Sequence, residues 1–231
     1  MIIGESFMRV CFVSGGSLNE YAEKFVGTRA DIVCFPFSAL GNVSYERELK
    51  GETSLFEDIA LLSKEGKNVV VCGCYTDMRG IRRKSVVVAE RGRILGVSDM
   101  VNRIDGGEYR SGAGIKIFDT SVGKLGIVVA EDLYFPRVFE TLSVCGAEAV
   151  LCIFEELNES LESVLVRAHA FTYGVPVCLC AYGYSLASDI AGKLRFASPK
   201  SPCIFDFERE QEYHVVETRQ RGFYLSRKSG F

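Results

Sequence analysis

Gly123-Lys-Leu-Gly126-Ile-Val-Val-Ala130-Glu131-Asp132-Leu-Tyr-Phe135-Pro136 decides how the rest of the chain is read. Residues 125–130 form an unbroken apolar run of strand length. Two carboxylates follow at once, and Pro136 stands where proline opens a helix, in its first turn. Upstream, residues 115–118 and a polar turn at 119–124 complete a hairpin with this run. Downstream, the helix closes near Gly146 and residues 149–154 form another apolar strand. An amphipathic helix at 158–173 ends at Gly174, and a strand at 175–181 follows. The N-terminal half alternates in the same way. It shows a strand at 9–13, a helix at 17–26, and a strand at 30–35 stopped by Pro36. Ser54-Leu-Phe-Glu57 has the pattern of a capping box for a helix that Gly66 stops. An apolar strand at 68–74 precedes a hairpin of 84–90 and 93–97 across Arg91-Gly92. Late strands at 203–207 and 213–217 flank a polar turn at 208–211. Hairpins interspersed with βα units predict an α/β fold with mixed sheets.

Composition excludes several classes of function. The chain is 48% hydrophobic and 25% charged, the balance of a globular protein. A net charge of -3 gives no electrostatic draw toward nucleic acid or an anionic membrane. No apolar run reaches the ~18 residues of a membrane span. The first residues carry neither the basic start nor the apolar core of a secretory signal. Of 9 cysteines, Cys11, Cys34, Cys152, Cys178 and Cys180 lie inside apolar runs, which reads as buried free thiols in a reducing cytoplasm. No repeat and no linker divides the 231 residues, so one domain is expected, with its core at about 8–218. The tail 219–231 is expected to pack on the domain or across a dimer, with disorder as the alternative.

Four stretches carry a resemblance to a known family. Residues 30–36, Ala30-Asp31-Ile-Val-Cys34-Phe-Pro36, resemble the strand that delivers a catalytic Glu just after its Pro. Residues 91–100 resemble the hairpin that delivers a catalytic Lys. Residues 123–136 resemble the nucleophile segment, and 167–177 the helix and strand that follow it. The family is the nitrilase superfamily of carbon–nitrogen hydrolases. The resemblance implies a single-domain αββα sandwich, two sheets face to face with helices outside, and a homodimer formed through the outer helices. It implies a small amide or carboxylate ligand, and neither a cofactor nor a metal.

The departures from the family pattern bear on activity. The Glu position is Phe37, the Lys position is Met100 (or Val101, if the hairpin slips by one), and the Cys position is Ala130. Ala181 stands where the family often has Asn. The family reaction needs a thiolate activated by a neighbouring base, giving a covalent thioester. A methyl group offers no lone pair, and losing a nucleophile costs about a millionfold in rate. Removing a general base costs roughly 10²–10⁴ and removing an oxyanion donor roughly 10²–10³. The sequence therefore points to an inactive hydrolase fold kept for ligand binding or interaction. Glu108, Glu131, Tyr134 and Cys34 are the candidates to line a surviving pocket. The plainer reading has Asp132 capping the helix at Pro136 and Glu131 holding the turn.

Two alternatives stay open at this level. One is an active hydrolase with Cys34 or Cys74 as a relocated nucleophile and Glu108 as base. The other is a structural partner in a hetero-oligomer. Weaker patterns are set aside. Cys72, Cys74, Cys178 and Cys180 have C-x-C spacing, unlike the usual zinc pattern. His169 reads as a surface or core-edge residue and not a general base, and Arg79, Arg82, Arg83 and Lys84 as a solvated turn. Gly15-Gly16-Ser17 and Gly112-Ala-Gly114 lack the context of nucleotide-binding loops.

Overall fold

Runs of Val, Ile and Cys form the centres of two sheets, because β-branched side chains suit a pleated surface buried on both faces. The computed structural model describes residues 7–25, 29–104, 106–157 and 161–208. The strand expected at 213–217, the tail at 219–231 and the opening of the helix expected from 158 lie outside the described residues. In chain order the strands are β1 (Phe7–Phe12), β2 (Ile32–Phe35), β3 (Asn42–Ser44), β4 (Val69–Met78), β5 (Ile81–Glu90), β6 (Arg93–Asp99) and β7 (Ile117–Thr120). They continue with β8 (Gly123–Val129), β9 (Ala149–Glu156), β10 (Val177–Tyr182), β11 (Tyr184–Ser188), β12 (Leu194–Ser198) and β13 (Cys203–Glu208). The helices are α1 (Leu18–Phe25), α2 (Tyr45–Leu49), α3 (Leu55–Gly66), α4 (Pro136–Val144) and α5 (Leu161–Tyr173).

One sheet runs β13-β1-β2-β4-β5-β6, with β3 beside the end of β4, and the other runs β12-β11-β10-β9-β8-β7. Each mixes parallel and antiparallel pairs. Alternation along the strands sends one face inward and one outward. Ile32, Val69 and Val71 meet Ile127, Val129, Leu151 and Ile153 in a core between the sheets. The outward faces carry a second and a third core. Cys11, Val33, Val70 and Cys72 pack with Tyr21, Ile59 and Leu62 of α1 and α3. Val128, Val150 and Leu179 pack with Phe139, Leu142, Val166 and Ala170 of α4 and α5. The layers are therefore helix, sheet, sheet, helix, as the resemblance implies. A fully buried Val, Ile, Leu or Phe contributes about 1.5–3 kcal/mol, so these three clusters supply most of the folding drive.

Several local expectations need correction. The basic stretch at 79–84 is not a solvated turn. Only Arg79 and Gly80 turn the chain, at φ 55° and 78°, and β5 already begins at Ile81. The second hairpin turns at Arg91-Gly92 as expected, with φ 52° and 81°, the positive pair that a two-residue loop needs. The capping box at Ser54 does not form. The carboxylate of Glu48, from α2, instead accepts the N–H groups of Leu55 and Phe56 at 3.2 and 3.1 Å. Helix α3 ends through Lys67, which takes the left-handed conformation at φ 52°. Strands β11 and β12 extend the second sheet where the sequence pattern showed no strand.

Candidate functional site

Strands β2 and β4 run parallel, as do β8 and β9, and the turns after their carboxyl ends build the site. Phe37 opens a 3-10 turn directly after Pro36 and is 1% exposed. Its ring tilts against Tyr75 at 5.2 Å. Its backbone lies so near β4 that a Cβ on Gly73 would come within 2.8 Å of the Phe37 nitrogen. Ala130 begins a second 3-10 turn, Ala130–Tyr134, after β8. It is 2% exposed and holds φ at 47°, a left-handed conformation that costs an L-residue roughly 1–2 kcal/mol. The chain thus bends sharply at the end of β8, with only a methyl group on the bend.

Asp132 fastens that turn. Its carboxylate accepts the N–H groups of Val101 and Asn102 at 2.9 and 2.7 Å and the Asn102 amide at 2.9 Å. Burial raises the Asp132 pKa and outweighs these hydrogen bonds, which act to lower it. The expected capping of α4 by Asp132 does not occur. Pro136 at the first helical position and a backbone bond from Phe135 to the Asp132 carbonyl start that helix. His169 of α5 donates Nε2–H to the Leu133 carbonyl at 3.0 Å and stacks on Phe139 at 4.0 Å. It is buried, deeper than the surface or core-edge placement expected of it.

Glu131 does not hold the turn; it reaches across to β5. The ammonium of Lys84, 8% exposed, donates to Glu131 Oε1 at 2.5 Å and to Glu155 Oε2 at 2.9 Å. Burial alone would lower the Lys84 pKa, but the hydrogen bonds to Glu131 and Glu155 more than offset it, so the group is held protonated. Tyr75 donates its hydroxyl to the other oxygen of Glu155. Lys84 and Tyr75 face each other in the β4–β5 register, and Tyr109 stacks on Tyr75 at 5.4 Å. Arg82 lies 5.3 Å from the Tyr109 ring centre and pairs with Glu108 at 2.5 Å. Lys84, Met100, Arg103, Ile104, Gly107, Glu108, Tyr109 and Glu131 line a cavity of about 190 Å³.

Of the sequence-derived candidates, Glu108, Glu131 and Met100 meet at this cavity. Val101, the alternative at the Lys position, instead donates its N–H to Asp132. Tyr134 turns away and bonds Glu162 at 2.7 Å. Cys34 is buried in the inter-sheet core, where burial pushes its thiol well above the usual range. Cys74 lies on the helix-covered face of β4, its thiol raised by burial in the same way. Among the described residues lining the cavity, neither Cys34 nor Cys74 is found. Cys72 and Cys74 face the helices whereas Cys178 and Cys180 face the other sheet, so these four do not converge on a metal. Ala181 packs under the helices of the second sheet. Sequence reading missed Lys84, Tyr75, Tyr109 and Glu155. None of the four carried a local signal: Lys84 lies inside β5 behind two arginines, and Glu155 one residue short of the end of β9.

The chain has the fold of the nitrilase superfamily. A serine-for-cysteine mutant of the Nesterenkonia amidase from that superfamily superposes with a TM-score of 0.76, covering 98% of this chain and 99% of its own at 14% identity. A carbon–nitrogen hydrolase from Helicobacter pylori gives a TM-score of 0.72, covering 95% and 94% at 17% identity. Among curated proteins, the deaminated glutathione amidase of Yersinia enterocolitica is 30% identical over 39% of this chain, a stretch that spans 37% of the relative's length. No family model matches the chain.

Proposed function

We propose that this is a carbon–nitrogen hydrolase family protein that does not run the thiol reaction and serves as a small-molecule binding module. One observation carries the proposal: the turn after β8 presents buried Ala130, and neither Cys34 nor Cys74 lines the adjoining cavity. No acyl-enzyme can form without a nucleophile. Phe37 and Met100 complete the change from a charged cluster to apolar groups, a replacement that can be neutral or stabilising. Incubation with small amides, carbamoyl compounds and nitriles should release no ammonia above background. Turnover that Ala130→Asp abolishes would sink the proposal.

The molecule also carries a face suited to self-association. Leu161, Val164 and Phe171 recur on α5 at a spacing that places them on one side, and each is more than half exposed. We place the homodimer contact there. Size-exclusion chromatography of the wild type and of Val164→Glu tests it, and an unchanged elution volume would remove this face from the interface. Among the described residues no helix is long and apolar enough to cross a membrane. A cytoplasmic location is part of the same proposal.

A further inference from the structure

Resting on the binding role above, we infer that the cavity beside Ala130 takes a compact zwitterion, with an ammonium group set on Glu131 and an anionic group set on Arg103. Glu131 uses only one carboxylate oxygen. Oε1 takes the Lys84 bond, whereas Oε2 is buried and has no hydrogen-bond partner. A buried, unpartnered carboxylate oxygen is costly, by more than the ~1–3 kcal/mol of a neutral group. Lys84 is already spent on Glu131 and Glu155, and the second Glu155 oxygen is taken by Tyr75. A ligand in the cavity that Glu131 lines can supply the missing donor once this oxygen is uncovered, and a primary ammonium brings three N–H groups.

A lone cation does not satisfy the rest of the lining. Arg103 donates Nη2 to the Gly107 carbonyl at 2.6 Å and, among the described residues, has no carboxylate partner. Its planar fork suits a carboxylate or similar anion. Among the described residues that line the cavity, two cationic side chains, Lys84 and Arg103, stand against two anionic ones, Glu108 and Glu131. A site with no net charge of its own favours a ligand with none, carrying one charge of each sign. The volume of about 190 Å³ equals that of about six waters at ~30 Å³ each, which sets the size at that of a small amino acid.

Isothermal titration calorimetry on the intact protein tests the assignment. Glycine, 3-aminopropanoate and 4-aminobutanoate are the zwitterionic probes, and their graded length reads the spacing between the two anchors. Propylamine, propionate and propionamide carry one charge or none. Saturable binding of at least one zwitterion is expected, about tenfold or more tighter than any of the three controls. Glu131→Gln and, separately, Arg103→Met should each weaken it about tenfold or more. Arg103 is partly exposed, so its replacement leaves the fold intact even if Glu131→Gln does not. Absence of zwitterion binding, or an unchanged affinity in Arg103→Met, overturns the inference. Propionamide bound as tightly, without ammonia release, overturns the zwitterion assignment alone. Ammonia release overturns the inactive-hydrolase reading beneath it.

Discussion

At the scale of single residues, the two most informative side chains are one that does nothing and one that was overlooked. Ala130 keeps a left-handed backbone, and the magnitudes predict an unusual tolerance there. Ala→Gly at a buried strand position loses a methyl, about 0.8 kcal/mol, and adds roughly 0.5–1 kcal/mol of backbone entropy. At position 130 the relief of left-handed strain, roughly 1–2 kcal/mol, offsets both. Urea unfolding should thus place Ala130→Gly near wild type, whereas Ala187→Gly, fully buried in β11, should lose about 1.5 kcal/mol. Equal losses at the two sites would show that Ala130 is not strained. Lys84 is the overlooked residue. Lys84→Met leaves Glu131 and Glu155 without their cation, which in a fully buried cluster costs about 3–5 kcal/mol. These carboxylates are 26% and 38% exposed, so a smaller loss of about 2 kcal/mol is expected.

At the scale of elements, the capping of α3 shows what a sequence pattern can and cannot specify. Ser54 and Glu57 have the right spacing for a reciprocal cap, yet the N-terminal N–H groups are taken by Glu48 from the preceding helix. A carboxylate is also the better partner for the positive end of a helix. Glu48→Ala should therefore lower stability by about 1 kcal/mol, with a smaller loss for Ser54→Ala. Thermal melts that rank the two the other way would return the cap to Ser54. His169 joins α5 to the turn after β8, and burial lowers its pKa despite the bond to the Leu133 carbonyl. The neutral form belongs to the fold. Its contribution is present above the unfolded value of 6.5 and is lost as pH falls through the lower folded value. Stability measured from pH 7 to 5 should fall less steeply in His169→Gln than in wild type.

At the scale of the whole molecule, the fold was legible and the site only in part. The apolar runs at 68–74, 125–130 and 149–154 each became a central strand, because burial on both faces demands such runs. Phe37 and Ala130 each lie in the turn directly after a strand, as their places beside Pro36 and at the end of an apolar run led one to expect. The cluster of Lys84, Tyr75, Tyr109 and Glu155 could not. It forms only when β4, β5 and β9 from two different sheets converge, and nothing local marks a lysine as buried when three other basic residues stand just before it. The short elements β3, α2, β11 and β12 failed for a related reason: their pattern is too brief to carry a period, and pairing with a neighbouring strand creates them.

The grip of Asp132 on Val101 and Asn102 has a mechanical corollary. One residue beyond that clamp comes Arg103, and one residue before Asp132 comes Glu131. A ligand set between Glu131 and Arg103 would therefore bear on both sides of a single rivet. A fluorophore on the rim would report filling of the interior without touching it.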